Sequence, residues 1–255
     1  MPDRSEQVQA ALAALRGILG EGLLAVCLHG SAVSGGLRPQ SDIDLIAVID
    51  DDLAADPRRD LAAALSRLSA RHPAKPEGPR CLEVMVFRRA DLAGCSDPAR
   101  AEFVYGEWLR DAFEAGEAPV PAHDPEHTLV LAQALRESVP LLGPPLSRFL
   151  PEIPASDVRR AMRALLPTLA AGLHGDERNI LLTLARMWHT ASSGAFVTKD
   201  AAAAWAVPKV GQRDGATLEY ARKAYLGKIA DDWSDRREDA RHLAATLARH
   251  IDRAL

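Results

Sequence analysis

A chain of 255 residues with 47% hydrophobic side chains has room for one large or two small domains and is too apolar to be disordered. A net charge of −4, with acids and bases interspersed, leaves no basic patch for nucleic acid and weighs against a template-dependent polymerase. No apolar run is long enough to span a bilayer, and the polar start with Asp3 and Glu6 does not read as a signal peptide, so a bacterial-type cytoplasmic protein is expected.

Val8, Ala11, Leu12, Leu15, Ile18 and Leu19 recur at helical spacing, and Gly20-Glu21-Gly22 supplies the stop. Leu23 to Leu28 reads as a strand that runs into Gly30-Ser31. A loop with Gly35-Gly36 follows, then Ser41-Asp42-Ile43-Asp44 opens an apolar run through Ile49. That unbroken run predicts a central strand. Alternate side chains of a strand share a face, so Asp42 and Asp44 project together. Paired carboxylates suit a divalent cation, and Mg²⁺ favours a few of them combined with substrate phosphates. Gly30-Ser31 offers backbone N–H groups and a hydroxyl, the donors that hold phosphate oxygens.

Asp50-Asp51-Asp52 reads as a solvated strand end rather than a metal site, and Asp56-Pro57 as a helix start with a cap and an N1 proline, running through Leu68. A proline-rich connection covers His72 to Pro79. Arg80 to Phe87 then alternates, with Leu82, Val84 and Val86 on one face and Cys81, Glu83, Met85 and Phe87 on the other. Glu83 interrupts an apolar face. It is either a solvated acid on an edge strand or a site acid, and the strand alone leaves both open. Trp108, in Gly106-Glu107-Trp108-Leu109-Arg110, reads on composition as a core anchor. Asp124-Pro125-Glu126 starts another helix, flanked by His123 and His127, which read as surface histidines rather than zinc ligands. Cys27, Cys81 and Cys95 lack metal-ligand spacing and read as reduced thiols, the first two buried.

Pro140, Gly143, Pro144, Pro145, Pro151 and Pro154 crowd together, which blocks a continuous helix and places a domain break near Leu150. The expected domains are 1–150 and 151–255. Beyond the break the pattern is helical throughout. A stripe of Val158, Met162, Leu165, Leu166 and Leu169 carries Pro167 as a kink or stop. Glu177 to Ser192 follows, with Ile180, Leu181, Leu184, Met187 and Trp188 inward and Gly194 past its end. Thr198 caps a short helix through Trp205, and Leu218–Leu226 and Asp239–Ile251 add two more. The class is therefore α+β, a mixed sheet with helices followed by a small α-helical bundle.

Gly30-Ser31, Gly36 and Ser41-Asp42-x-Asp44 resemble the signature of the nucleotidyltransferase fold shared with polymerase β. The wider stretch from His29 to Leu45 is similar to the aminoglycoside adenylyltransferases that modify streptomycin and spectinomycin. So are Gly106–Arg110, Gly175–Arg186, Thr198–Trp205 and Ala224–Gly227, and these segments span most of the chain. The resemblance implies transfer of AMP from ATP to an antibiotic hydroxyl, by a cytoplasmic monomer that binds neither nucleic acid nor membrane. It implies two Mg²⁺ ions on Asp42, Asp44 and Glu83, with Glu83 as general base. Gly30, Ser31, Ser41, Arg186, Lys199 and Tyr225 would bind ATP. Trp108 would stack on the antibiotic and Asp176, whose position also suits a helix N-cap, would accept its hydrogen bonds across a cleft between the domains.

One departure bears on the drug. Members that accept both antibiotics carry a Trp and an Asp shortly before Gly-Asp-Glu-Arg-Asn, and between Asp157 and Asp176 this chain has neither. Spectinomycin, at its 9-hydroxyl, is therefore expected over streptomycin. The rival reading is a nucleotidyltransferase-type antitoxin that adenylylates a partner protein; such proteins are short single domains, and the helical half argues against it.

Overall fold

The computed structural model describes residues 4–75, 77–94, 96–117 and 119–255; Asp3, Pro76 and Cys95, which entered the sequence readings, lie outside them. The chain divides into one unit ending at Ile153 and a second beginning at Pro154.

The first unit is built on the two apolar runs. Helix α1 (Arg4–Leu19) ends in a 3-10 turn at Gly20–Gly22, and β1 (Leu23–His29) follows. A second 3-10 turn, Gly30–Ala32, leads through the glycine loop to β2 (Ile43–Ile49). Then come α2 (Ala55–Leu68), β3 (Leu82–Arg88), α3 (Arg89–Gly94), β4 (Arg100–Ala101), β5 (Phe103–Tyr105), α4 (Arg110–Glu114), β6 (Ala122–His123), α5 (Pro125–Glu137) and β7 (Val139–Leu142). Among the described residues the main sheet has the order β5-β3-β2-β1-β7, while β4 and β6 form a separate pair. Only β2 and β3 run parallel; β1–β2, β1–β7 and β3–β5 are antiparallel. The sheet is mixed and β2 is central, as its unbroken apolarity implied.

Both faces of the three middle strands are covered, so alternation sorts residues between two cores. Leu45, Ala47, Val84 and Val86 join Leu12 and Leu15 of α1 and Leu61 and Leu65 of α2. Ile46, Val48, Met85 and Phe87 join Leu92 of α3 and Leu131 and Ala134 of α5. Cys27 and Cys81 are buried free thiols.

Four local expectations are corrected here. Asp56 does not cap α2: Ala54 is the cap residue, without a side-chain hydrogen bond, and Asp56 pairs with Arg59 inside the first turn. The proline-rich connection contains β7, which pairs with β1. Pro140 is tolerated there because an edge strand leaves one row of N–H groups unpaired anyway. His127 is a buried residue rather than a surface one: its Nδ1 lies 3.2 Å from the Ala99 carbonyl oxygen and its ring meets Phe87 edge-on. Pro167 does not end its helix, as described next.

The second unit is helical throughout: α6 (Ala155–Ala171), α7 (Glu177–Ser193), α8 (Lys199–Ala206), α9 (Gln212–Tyr225) and α10 (Arg237–Ala254). Pro167 sits exposed inside α6, where water can serve the carbonyl that loses its partner. Helix α9 starts six residues before the Leu218 expected from periodicity. Helix α7 packs against all four others, with Ile180, Leu181, Leu184, Met187 and Trp188 buried as their spacing required. Gly194 closes it in the left-handed conformation, φ 73°, which suits a residue without Cβ.

Candidate active site

The sheet's ladder places the acids. Asp44 lies opposite His29 on β1 and is in register with Glu83 on β3. Partners in register share a face, so His29, Asp44 and Glu83 form a row across the three middle strands. The row lies on the face that buries Ile46, Val48, Met85 and Phe87, at the end where that apolar core stops. His29 is buried, and burial pushes its imidazole down to about 4, so it stays neutral. Asp42 stands one residue before β2, where the Ile43 N–H donates to the Cys81 carbonyl at 2.9 Å. Burial first, and then the negative charge of Asp42, pushes the Cys81 thiol up to about 12, which makes it an inert neighbour.

Gly30 ends β1 against this row. Its φ is +65°, and a Cβ there would collide with the Asp44 carboxylate, within 2.9 Å of Cγ. Asp44 thus occupies the volume that only glycine leaves open. Ser31 follows in the 3-10 turn, whose first carbonyl, that of Gly30, accepts from Val33 and Ser34 at 3.1 and 3.0 Å. Ser41 is buried and partly committed to structure: its Oγ accepts from the Arg38 N–H at 3.0 Å. In that bond the Ser41 hydroxyl is the acceptor, so its proton is not used there. The guanidinium of Arg80 donates to the carbonyls of Arg38 and Ser41, at 2.8 and 2.7 Å, and so ties the loop before Asp42 to the start of β3. That tie had no signal in the sequence.

Asp42, Asp44 and Glu83 present only oxygen, and Gly30 leaves room for the Asp44 carboxylate. This hard donor set fits Mg²⁺. Among the described residues, no group of three or more His, Cys, Asp or Glu side chains is gathered to hold a metal ion unaided. Mg²⁺ commonly completes its coordination with substrate phosphates.

The pairing of Val84 with Tyr105 brings β5 to its end beside the Glu83 end of β3, and Gly106 and Trp108 follow at once. Trp108 is 60% exposed, so it is not the core anchor that composition favours.

In the second unit two of the candidates, Asp176 and Lys199, are joined through the side chain of Asn179. Asp176 precedes α7 but makes no side-chain cap bond. Its exposed carboxylate instead accepts from Asn179 Nδ2 at 2.9 Å, and Asn179 Oδ1 accepts from Lys199 Nζ at the start of α8. Arg186 lies seven residues beyond Asn179, two turns along the same face of α7. Tyr225 is the last residue of α9. Arg186, Lys199 and Tyr225 are half-buried, not the exposed bases or surface ring of an ordinary helix exterior.

Comparison with known proteins gives the family. The aminoglycoside adenylyltransferase C-terminal domain model matches residues 148–250. A spectinomycin 9-adenylyltransferase of Staphylococcus aureus is 38% identical over 249 residues, covering 98% of this chain and 95% of the relative. The chain belongs to the aminoglycoside adenylyltransferase family. An aminoglycoside (3'') (9) adenylyltransferase of Escherichia coli is 36% identical over 84% of this chain and 82% of its own length. The crystal structure of spectinomycin adenyltransferase AAD(9) from Enterococcus faecialis, with ATP and spectinomycin, superposes with a TM-score of 0.93 at 28% identity, covering 97% of this chain and 99% of that one. The stretch matched by the C-terminal domain model, 148–250, falls almost wholly within the helical unit, which begins at Pro154.

Proposed function

We propose that the protein transfers AMP from ATP to the 9-hydroxyl of spectinomycin and releases pyrophosphate. The observation that carries the chemistry is the Asp44–Glu83 register beside Gly30. Glu83 takes the proton of the attacking hydroxyl as general base. The freed oxygen forms a bond to the α-phosphorus of ATP, and the bond from that phosphorus to the bridging oxygen of pyrophosphate breaks. Gly30, Ser31 and Ser41 orient phosphate oxygens, joined by Arg186, Lys199 and Tyr225 of the helical unit. When bound, two Mg²⁺ ions would be held by Asp42, Asp44 and Glu83 and would neutralise charge on the triphosphate. Trp108 and Asp176 take the antibiotic: an exposed indole and an exposed carboxylate both attract its ammonium groups.

The missing Trp and Asp between Asp157 and Asp176 support spectinomycin over streptomycin. The test is pyrophosphate release by the purified protein with ATP and Mg²⁺ against spectinomycin, streptomycin and kanamycin in parallel. Release with spectinomycin alone is expected. Comparable release with streptomycin overturns the drug preference, and release with none overturns the antibiotic reading.

A further inference from the structure

Trp108 poses a problem that its role as a contact does not answer. A large exposed indole on a surface turn should swing freely between rotamers, and ordering it on binding would cost affinity. Here its neighbours hold it. Gly106 lies against the ring: a Cβ there would overlap Cη2 and Cζ3 and come within 2.6 Å of Cε3. The φ of Gly106 is −158°, ordinary extended backbone, so glycine is needed for the close approach and not for its conformation. Leu109 N–H closes the 3-10 turn on the Gly106 carbonyl at 3.0 Å.

The residues on either side of Trp108 point inward. Glu107 Oε1 accepts from Ser69 Oγ at 2.5 Å, Tyr105 OH at 2.7 Å and Arg110 Nη2 at 2.8 Å, and its Oε2 accepts from Arg110 Nε at 2.6 Å. Arg110 also donates to the carbonyls of Ser66 and Ser69 at the end of α2, both at 3.0 Å. Burial alone would raise the Glu107 carboxyl, but the bonds from Arg110, Ser69 and Tyr105 outweigh it and hold the group below the usual carboxylate range. A buried ion pair adds little stability compared with well-packed apolar side chains, whereas a fully bonded polar network fixes geometry.

We propose that Gly106 and the Glu107–Arg110 fork are positioning residues that hold Trp108 as a preset stacking platform for the antibiotic. The proposal rests on the reading that Trp108 contacts the drug. The Glu107–Arg110 fork fixes the turn, and the close approach of Gly106 to the benzo ring limits where the ring can go, while its exposed surface is presented to a cationic, saturated ring system. The platform affects drug binding and leaves ATP alone.

The experiment compares wild type, Gly106→Ala, Glu107→Gln, Trp108→Ala and the double variant Gly106→Ala/Trp108→Ala. It measures KM for spectinomycin, KM for ATP, kcat and acrylamide quenching of tryptophan fluorescence. Gly106→Ala is expected to raise the spectinomycin KM about tenfold, the scale of one lost cation–π contact, with the ATP KM unchanged. Its quenching should change, because Trp108 is the exposed indole. The double variant should be no worse than Trp108→Ala alone, since Gly106 acts through the ring. Glu107→Gln should move the same KM, and if it lowers folding yield, Gly106→Ala, which leaves the Glu107–Arg110 bonds in place, still decides. A normal spectinomycin KM in Gly106→Ala beside an impaired Trp108→Ala overturns the platform alone. A normal KM in Trp108→Ala overturns the platform and the role of Trp108 together, while spectinomycin-dependent pyrophosphate release would still stand.

Discussion

The sheet and the helical unit place their functional side chains by different means. In the sheet, Asp44 and Glu83 are set by backbone register, and Gly30 clears the space between β1 and the Asp44 carboxylate. In the helical unit, Asp176, Asn179 and Lys199 are set by one another, through side-chain hydrogen bonds across the start of α7 and α8. A ladder survives the loss of a side chain, because its bonds belong to the main chain. A side-chain relay does not survive the loss of its middle member. Substitutions in the sheet should therefore remove chemistry and keep binding, and substitutions in the relay should disturb binding at more than one residue.

Glu83→Gln is the most severe test. The amide keeps size and register but cannot take a proton, so kcat should fall by ~10²–10⁴-fold, the usual contribution of a general base. ATP affinity, measured by titration calorimetry, should stay close to wild type. Full turnover would remove Glu83 from the mechanism, and lost ATP binding together with lost turnover would mean that the ladder does not preserve the site.

Asn179→Ala attacks the other region. It removes the donor that steadies the Asp176 carboxylate and the acceptor that holds Lys199 Nζ. Hydrogen bonds to charged groups contribute about 1.5–3 kcal/mol each, so KM for spectinomycin and for ATP should both rise about tenfold or more. Steady-state kinetics with each substrate varied in turn reads both. A rise in only one would show that Asn179 serves one neighbour and that the relay is not a unit.

The same contrast explains what could be read from the amino-acid order. Apolar runs and period-2 alternation declare strands, so β1, β2 and β3 were visible. Helix α7 was legible from its 3.6-residue stripe and from Gly194, and the Thr198 cap, which accepts from Ala201 N–H at 3.3 Å, from a single hydroxyl in the right place. Strand β7 was hidden because a proline-rich stretch reads as linker until a neighbour supplies an edge. The Asn179–Lys199 bond and the Ser69–Glu107 bond join residues that local pattern cannot bring together. Trp108 reads as buried on composition because an indole usually is, yet here it is 60% exposed and lies against Gly106.

The smallest expected effect concerns pH and stability, and it too is specific to the sheet unit. His127 packs between Phe87 and the Ala99 carbonyl, which can only accept, so its Nδ1 carries the proton of a neutral ring. Burial lowers its folded-state pKa below the ordinary 6.5, with the Ala99 bond opposing. Between the folded pKa and 6.5 the unfolded chain binds more protons, so stability is complete above pH 6.5 and falls as pH drops through that window. One such group supplies a slope of at most about 1.4 kcal/mol per pH unit. His29 acts in the same direction, since burial holds it at about 4. His127→Asn keeps a donor for the Ala99 carbonyl and removes the titration. Urea midpoints from pH 7.5 to 5 should therefore fall less steeply in the variant than in wild type, and the slope that remains should include His29. Parallel curves would mean that His127 takes up its proton equally in the folded and unfolded chain, which would contradict its burial against Phe87.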